Sequence, residues 1–313
     1  MTKVRALQEA KDYSDDKVGH LRRELPKVIA TEDVAVVTVG SFGRREASSH
    51  SDLDFFLIER VAGAATTKEI EAVRSVIHNC GIKMPSTDGA FNSHIELCTD
   101  MAKKIGGFDD KTEKLTRRLL FLLEGDWLFN KNLFDECFEK LIQQYVRDTI
   151  TEHQLCRFLL NDLIRYYRTI CVDFEYKTYE DGKAWGDRNI KLQFSRKLLY
   201  FSGVLVVAET VQHRWEIKRE ILRKYLRLTP TERVREICGA QSEKALAIYD
   251  DFLEQLSSKE VRDMLKKTGE DRKSHTPEFR TFKNNGHHFT YELSRLLAAT
   301  YEASHPIHTA LKF

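Results

Sequence analysis

Val39-Gly40-Ser41-Phe42-Gly43-Arg44-Arg45-Glu46, followed by Ser51-Asp52-Leu53-Asp54-Phe55, is the stretch on which the reading of this chain turns. Apolar runs at 34–39 and 53–58 flank it, each too short for a helix and suited to a strand. The residues between them are polar and turn-forming, with no apolar period of their own. Read in a strand, Asp52 and Asp54 point to one face with Cα atoms roughly 7 Å apart. Two carboxylates so placed repel each other unless a cation sits between them. Mg²⁺ takes hard oxygen ligands, one or two of them carboxylates, and completes its shell with substrate phosphates. Gly40-Ser41 leaves a strand directly into a turn, which offers backbone amides and the Ser41 hydroxyl to phosphate oxygens. A phosphate cradle and a metal-binding pair about a dozen residues apart are the parts that phosphoryl or nucleotidyl transfer needs.

Working outward, residues 1–31 read as a helix with Val4, Leu7, Val18, Leu21, Leu25 and Val28 on one face. Residues 66–80 read as an amphipathic helix capped by Thr66 or Thr67 and stopped by Gly81. Residues 94–98 read as a third strand. From about residue 108 helical spacing takes over, at 115–123, 133–146, 155–174, 190–211, 215–228, 243–256 and 289–303, with no strand among them. The expected fold class is α+β: a small mixed-sheet head over residues 1–107 and an all-helical body over 108–313, with surface excursions at 176–189 and 266–286.

The segment Gly40-Ser41, ten residues, then Asp52-Leu53-Asp54-Phe55 resembles the signature of the DNA polymerase β-like nucleotidyltransferase superfamily. The fuller form G-S-F-G-R-R-E…S-D-L-D is similar to the catalytic segment of the PII-protein uridylyltransferases and of related bacterial nucleotidyltransferase-like proteins. The helical runs RFLLNDLIRYYRTICVDFEY and WGDRNIKLQFSRKLLYF are similar to the latter group as well. The resemblance implies that Asp52 and Asp54 bind Mg²⁺, two ions being expected, and that Gly40 and Ser41 hold the triphosphate of an NTP. Arg44 matches the family's G-R step and is the candidate for neutralising phosphate charge, since guanidinium pairs bidentately with phosphate oxygens; Arg45 is expected to pair with a surface carboxylate such as Glu46.

Superfamily members usually supply a third carboxylate from a neighbouring strand. Glu96, flanked by Ile95 and Leu97, is the candidate, because an acid inside an apolar strand is expensive without a partner. Asp88 and Asp100 are weaker claimants. The function expected is transfer of a nucleoside monophosphate from an NTP to an acceptor hydroxyl on protein, RNA or a small molecule, with release of pyrophosphate. The alternative is a catalytically lapsed, nucleotide-binding regulator or antitoxin-like interaction protein. No segment resembles the His-Asp hydrolase domain of the uridylyltransferases.

Residues 186–235 hold twelve basic side chains against five acidic ones, with Tyr200, Phe201, Trp215 and Tyr225 interleaved. A basic surface of this kind suits RNA, although such charge also makes an ordinary solvated face. Asn189, Lys191 and Arg196 interrupt an apolar face and are candidates for holding base or phosphate. His287-His288 and His305/His308 lack companion ligands at metal-site spacing, so no metal is expected there.

The whole chain of 313 residues carries 50 basic and 48 acidic side chains, so any polyanion must be met by a local patch. Apolar residues make up 42%, enough for a sizeable core, and 15 Gly with 5 Pro exclude collagen-like and low-complexity classes. The six scattered cysteines form no CxxC pair, which fits reduced thiols better than a zinc or disulfide framework. No run approaches ~18 apolar residues and the start has no apolar leader core, so a cytoplasmic protein without membrane partners is expected.

Overall fold

The computed structural model describes residues 4–84 and 95–312. The chain divides into two compact units after Ile150: Glu9–Ile150 form one, and Thr151 onward, with the described residues up to Gln8, form the other. The boundary expected at 107 therefore moves, because the segment after it completes the sheet of the first unit.

In chain order this first part comprises α1 (Arg5–Glu24), β1 (Val34–Thr38), α2 (Gly40–Gly43), β2 (Phe55–Glu59), α3 (Thr67–Asn79), β3 (Ile95–Leu97), α4 (Cys98–Met101), α5 (Thr112–Glu124), β4 (Asp126–Phe129) and α6 (Lys131–Tyr145). The four strands form one mixed sheet in the order β3-β2-β1-β4. β1 runs antiparallel to β2 and β4, and β2 runs parallel to β3. The β-branched run Val-Ala-Val-Val-Thr suits β1, which is buried throughout at the middle of the sheet. Val34, Val36, Leu53, Phe55 and Leu57 share a core with Val18 and Leu21 of α1, with Leu25 just after it and with Val73 and Ile77 of α3. On the other face Phe56 meets Phe121 of α5, whose ring lies 4.8 Å from Phe134 of α6. α3 starts where Thr66 and Glu69 cap each other's backbone, the reciprocal arrangement that satisfies the first amides of a helix.

Three expectations change. Strand β2 begins only at Phe55, so Asp52 and Asp54 lie in its lead-in, where Asp52 makes an isolated parallel bridge with Lys83. The third strand is described over Ile95–Leu97 and gives way to α4 at Cys98, while His94 and Asp88 lie outside the described residues. A fourth strand appears at Asp126–Phe129, in a stretch expected to be all helix.

The second unit is helical: α7 (Arg157–Tyr179), α8 (Trp185–Lys191), α9 (Lys197–Ala208), α10 (Trp215–Leu226), α11 (Pro230–Cys238), α12 (Glu243–Ser257), α13 (Lys259–Lys267), α14 (Pro277–Thr300) and α15 (Pro306–Ala310). A π turn, Leu192–Arg196, joins α8 to α9, and α9 is buried over most of its length. Phe194 in that turn stacks on Phe252 at 4.5 Å and on Phe289 at 5.3 Å. The excursions expected at 176–189 and 266–286 shrink, since α7 runs to Tyr179, α8 starts at Trp185 and α14 starts at Pro277. Among the described residues, no helix is long and apolar enough to cross a membrane.

Two of the twelve basic residues in 186–235 are interior. Lys218 donates to the carbonyls of Glu152, Gln154 and Thr210, and Arg233 donates to those of Tyr225 and Leu226 and to the Ser202 hydroxyl. Both satisfy backbone carbonyls of loops and helix ends. Lys191 pairs with Asp187, and Lys224 with Glu236. The segment is less available to a polyanion than its composition indicates.

Candidate active site

The turn after β1 opens at Gly40, whose φ of +69° belongs to the left-handed region that favours glycine. Space enforces the same choice. A β-carbon on Gly40 would come within 2.6 Å of Asp54 Oδ2, so the Asp54 carboxylate lies directly against the opening of the turn. The backbone locks this approach, because Val39 N–H and the Thr38 hydroxyl both donate to the Asp54 carbonyl, at 3.1 and 3.0 Å. Leu53, between Asp52 and Asp54, is buried in the core. Asp52 is exposed and Asp54 half-buried. Lys83, the bridge partner of Asp52, is exposed beside it.

The other wall of the turn is α5. A β-carbon on Gly43 would come within 2.1 Å of the Glu124 carbonyl, which explains the second glycine of G-S-F-G. The fully buried Glu124 side chain accepts from Gly40 N–H at 2.8 Å and from Arg44 Nη1 at 2.5 Å. Arg44 Nε donates to Glu46 at 2.7 Å. Arg44 is thus a buried cation held by two carboxylates, facing away from the role of an open phosphate ligand. Arg45, expected to pair with Glu46, instead pairs with Asp15 and Asp126 and donates to the Phe42 carbonyl at 2.7 Å. Burial opposes its charge, but those carboxylates raise its pKa on balance. Arg22 shares Asp126 at 2.7 Å, and there burial prevails and lowers the pKa. Both arginines of G-R-R therefore tie the turn to its surroundings.

Ser41, half-buried, follows Gly40, and its first-turn amide has no partner within a helix. Glu96 is level with Ile58 across the β2–β3 pair, and so on the same sheet face as Asp54. It stands four residues farther along, roughly 13 Å, and forms an ion pair with Arg117 of α5. The structure therefore sets Asp54 against Gly40, next to Ser41 in sequence, bridges Asp52 to Lys83, and engages Glu96 with Arg117. Asp100 lies beyond Glu96, in α4. Glu124 and Lys83 were missed by the sequence reading; an acidic residue closing the apolar run Leu119–Leu123 is the signal that marks Glu124.

Among the described residues, no group of three or more His, Cys, Asp or Glu side chains is placed to hold a metal ion. Two carboxylates with hard oxygen donors remain, which suits a cation whose other ligands come with a phosphorylated substrate.

No protein-family model matches the chain. A segment of 119 residues is 31% identical to the bifunctional uridylyltransferase/uridylyl-removing enzyme of Zymomonas mobilis subsp. mobilis. The match takes in 37% of this chain and 11% of that protein. The similarity supports a nucleotidyltransferase-like segment within the chain.

Proposed function

We propose that the unit Glu9–Ile150 is a nucleotidyl-transfer head that moves a nucleoside monophosphate from an NTP to an acceptor hydroxyl and releases pyrophosphate. One observation carries the reading: the Asp54 carboxylate packs on Gly40 at the mouth of the Gly40–Gly43 turn, and the exposed Asp52 stands two residues before it. Asp52 and Asp54 would hold Mg²⁺, two ions being the number that in-line displacement uses, and the metal would supply charge neutralisation at the triphosphate. The chain's own residues do the positioning. Gly40 leaves room for the Asp54 carboxylate where any side chain would intrude, and the Ser41 hydroxyl and amide donate to phosphate oxygens. Lys83, exposed beside Asp52, takes over the phosphate-neutralising role first expected of Arg44, whose charge is engaged by Glu46 and Glu124. The similarity to a uridylyltransferase agrees with this class of reaction.

A second reading, nucleotide binding without transfer, is favoured by the placement of Glu96, which pairs with Arg117 rather than joining Asp54. Both are tested by incubating the chain with each labelled NTP, Mg²⁺ and a lysate, beside Asp54→Asn. Label on protein, RNA or a small molecule that disappears with Asp54→Asn supports transfer and identifies the acceptor class. Saturable NTP binding without labelling supports the second reading. Neither binding nor labelling would overturn both.

A further inference from the structure

The run that interrupts the apolar pattern of the body, Asn189 to Lys197, contains the π turn Leu192–Arg196. Single π turns inside helices gather at functional sites, because the extra residue redirects the side chains that follow. The first residue after this one is Lys197. Its ammonium donates to the Thr290 hydroxyl of α14 at 2.5 Å, and among the described residues no carboxylate pairs with it. One turn earlier on each helix, Gln193 packs against Gly286, leaving its Oε1 buried without a hydrogen-bond partner among the described residues.

The surroundings do not supply the missing negative charge. Tyr200, three residues on from Lys197, stacks on Tyr167 of α7 at 4.5 Å. Cys171, one turn from Tyr167, is an electrostatic neighbour of Lys197, but burial raises its thiol pKa and keeps it neutral. A second cation, the exposed Arg168, acts on Tyr167, Cys171 and Tyr200. Glu175 is the acid near this cluster, through Cys171, and it is exposed. Burial accordingly lowers the pKa of Lys197. Lys197, Thr290, Tyr167, Tyr200 and Cys171 are all half-buried and so within reach of solvent.

We infer that Lys197, anchored by the Thr290 hydroxyl, forms a site for a phosphate group, free or as a monoester. A partly desolvated ammonium with two unused donors gains from a doubly charged oxyanion what it lacks in the fold. This site belongs to the helical unit and stands whether or not the head transfers nucleotides.

The test titrates the full-length chain with inorganic phosphate, and separately with AMP, by calorimetry and thermal unfolding at constant ionic strength. Millimolar phosphate is expected to raise the Tm. Lys197→Met should weaken binding by about tenfold or more without lowering the Tm of the ligand-free chain, since it removes a charge that nothing in the fold balances. A lysine that merely supports structure would do the reverse. Thr290→Val keeps the charge and removes its anchor, so it should weaken binding severalfold. Tighter AMP than phosphate binding, lost in Lys197→Met, identifies a monoester; equal binding identifies free phosphate. Should Lys197→Met fail to fold, Lys197→Gln carries the same comparison. Phosphate binding undiminished in the Lys197 variant, or none in the natural chain, would overturn the assignment.

Discussion

The Asp54 carboxylate lies so close against Gly40 that no room is left for a methyl group: a β-carbon at Gly40 would sit 2.6 Å from Asp54 Oδ2. The acid that the proposed function assigns to the metal and the turn that it assigns to phosphate are therefore one mechanical piece. Gly40→Ala should lower transfer by about a hundredfold, the usual result of displacing a reacting group by an ångström. Gly81→Ala is the control, because Gly81 has the same sign of φ, +67°, but open space around it. It should cost only the left-handed penalty, about 1–2 kcal/mol, with transfer unchanged. Urea unfolding and labelled-NTP turnover measure the two effects, and equal losses of turnover would refute the link.

Arg44→Ala should destabilise the head by about 3–5 kcal/mol, because it leaves Glu46 and Glu124 buried without their shared cation. Arg44→Lys should recover only part of this, since an ammonium cannot reproduce the guanidinium's divided geometry. The midpoint of urea unfolding reports both. A stable Arg44→Ala chain with a selective loss of NTP affinity would restore Arg44 as a direct phosphate ligand.

Glu96→Gln should lower stability by about 1–3 kcal/mol through its broken ion pair with Arg117. Transfer in the folded variant should not change. Denaturant melts and turnover at saturating NTP separate the two; a folded variant that binds NTP but no longer transfers it would make Glu96 the third acid after all.

Tyr167 ionises late. Burial, aided by Cys171 and Tyr200, pushes its pKa up to about 12 from the usual 10.0. The folded state thus holds the phenol proton more tightly than the unfolded chain. Its contribution to stability is present below pH 10 and is lost as pH rises toward 12. The difference in tyrosinate absorbance between the natural chain and Tyr167→Phe should be centred near pH 12. A difference centred at 10 would mean that the Tyr167–Tyr200 stack is open to water.

The central part of the head was legible because its signals are local. A β-branched run ending in Gly, then a polar turn and a second apolar run, places β1, the turn and the start of the Asp52–Asp54 segment without any distant information. The strand β4 was not legible: Asp-Trp-Leu-Phe is too short to show a period and lies between two helices. The fates of Arg44 and Arg45 were hidden for another reason. Their partners Glu124 and Asp126 lie some eighty residues away in sequence, and nothing in G-R-R-E itself distinguishes a buried pair from an open ligand. The interruption at Asn189 to Lys197 was visible as a broken apolar face, but its cause, the π turn, requires the backbone.

The pairing of β1 with β4 also orders events during synthesis. β1 and β2 are close in sequence and can form a hairpin-like pair soon after they leave the ribosome. The other edge of β1 joins Thr38 to Asp126 and closes a loop of ~90 residues. Until that segment emerges, the middle strand of the finished sheet is an open edge, with Val36 and Val37 available to any neighbouring strand. The interval between translating β2 and β4 is therefore when a nascent chain of this protein has most need of a chaperone.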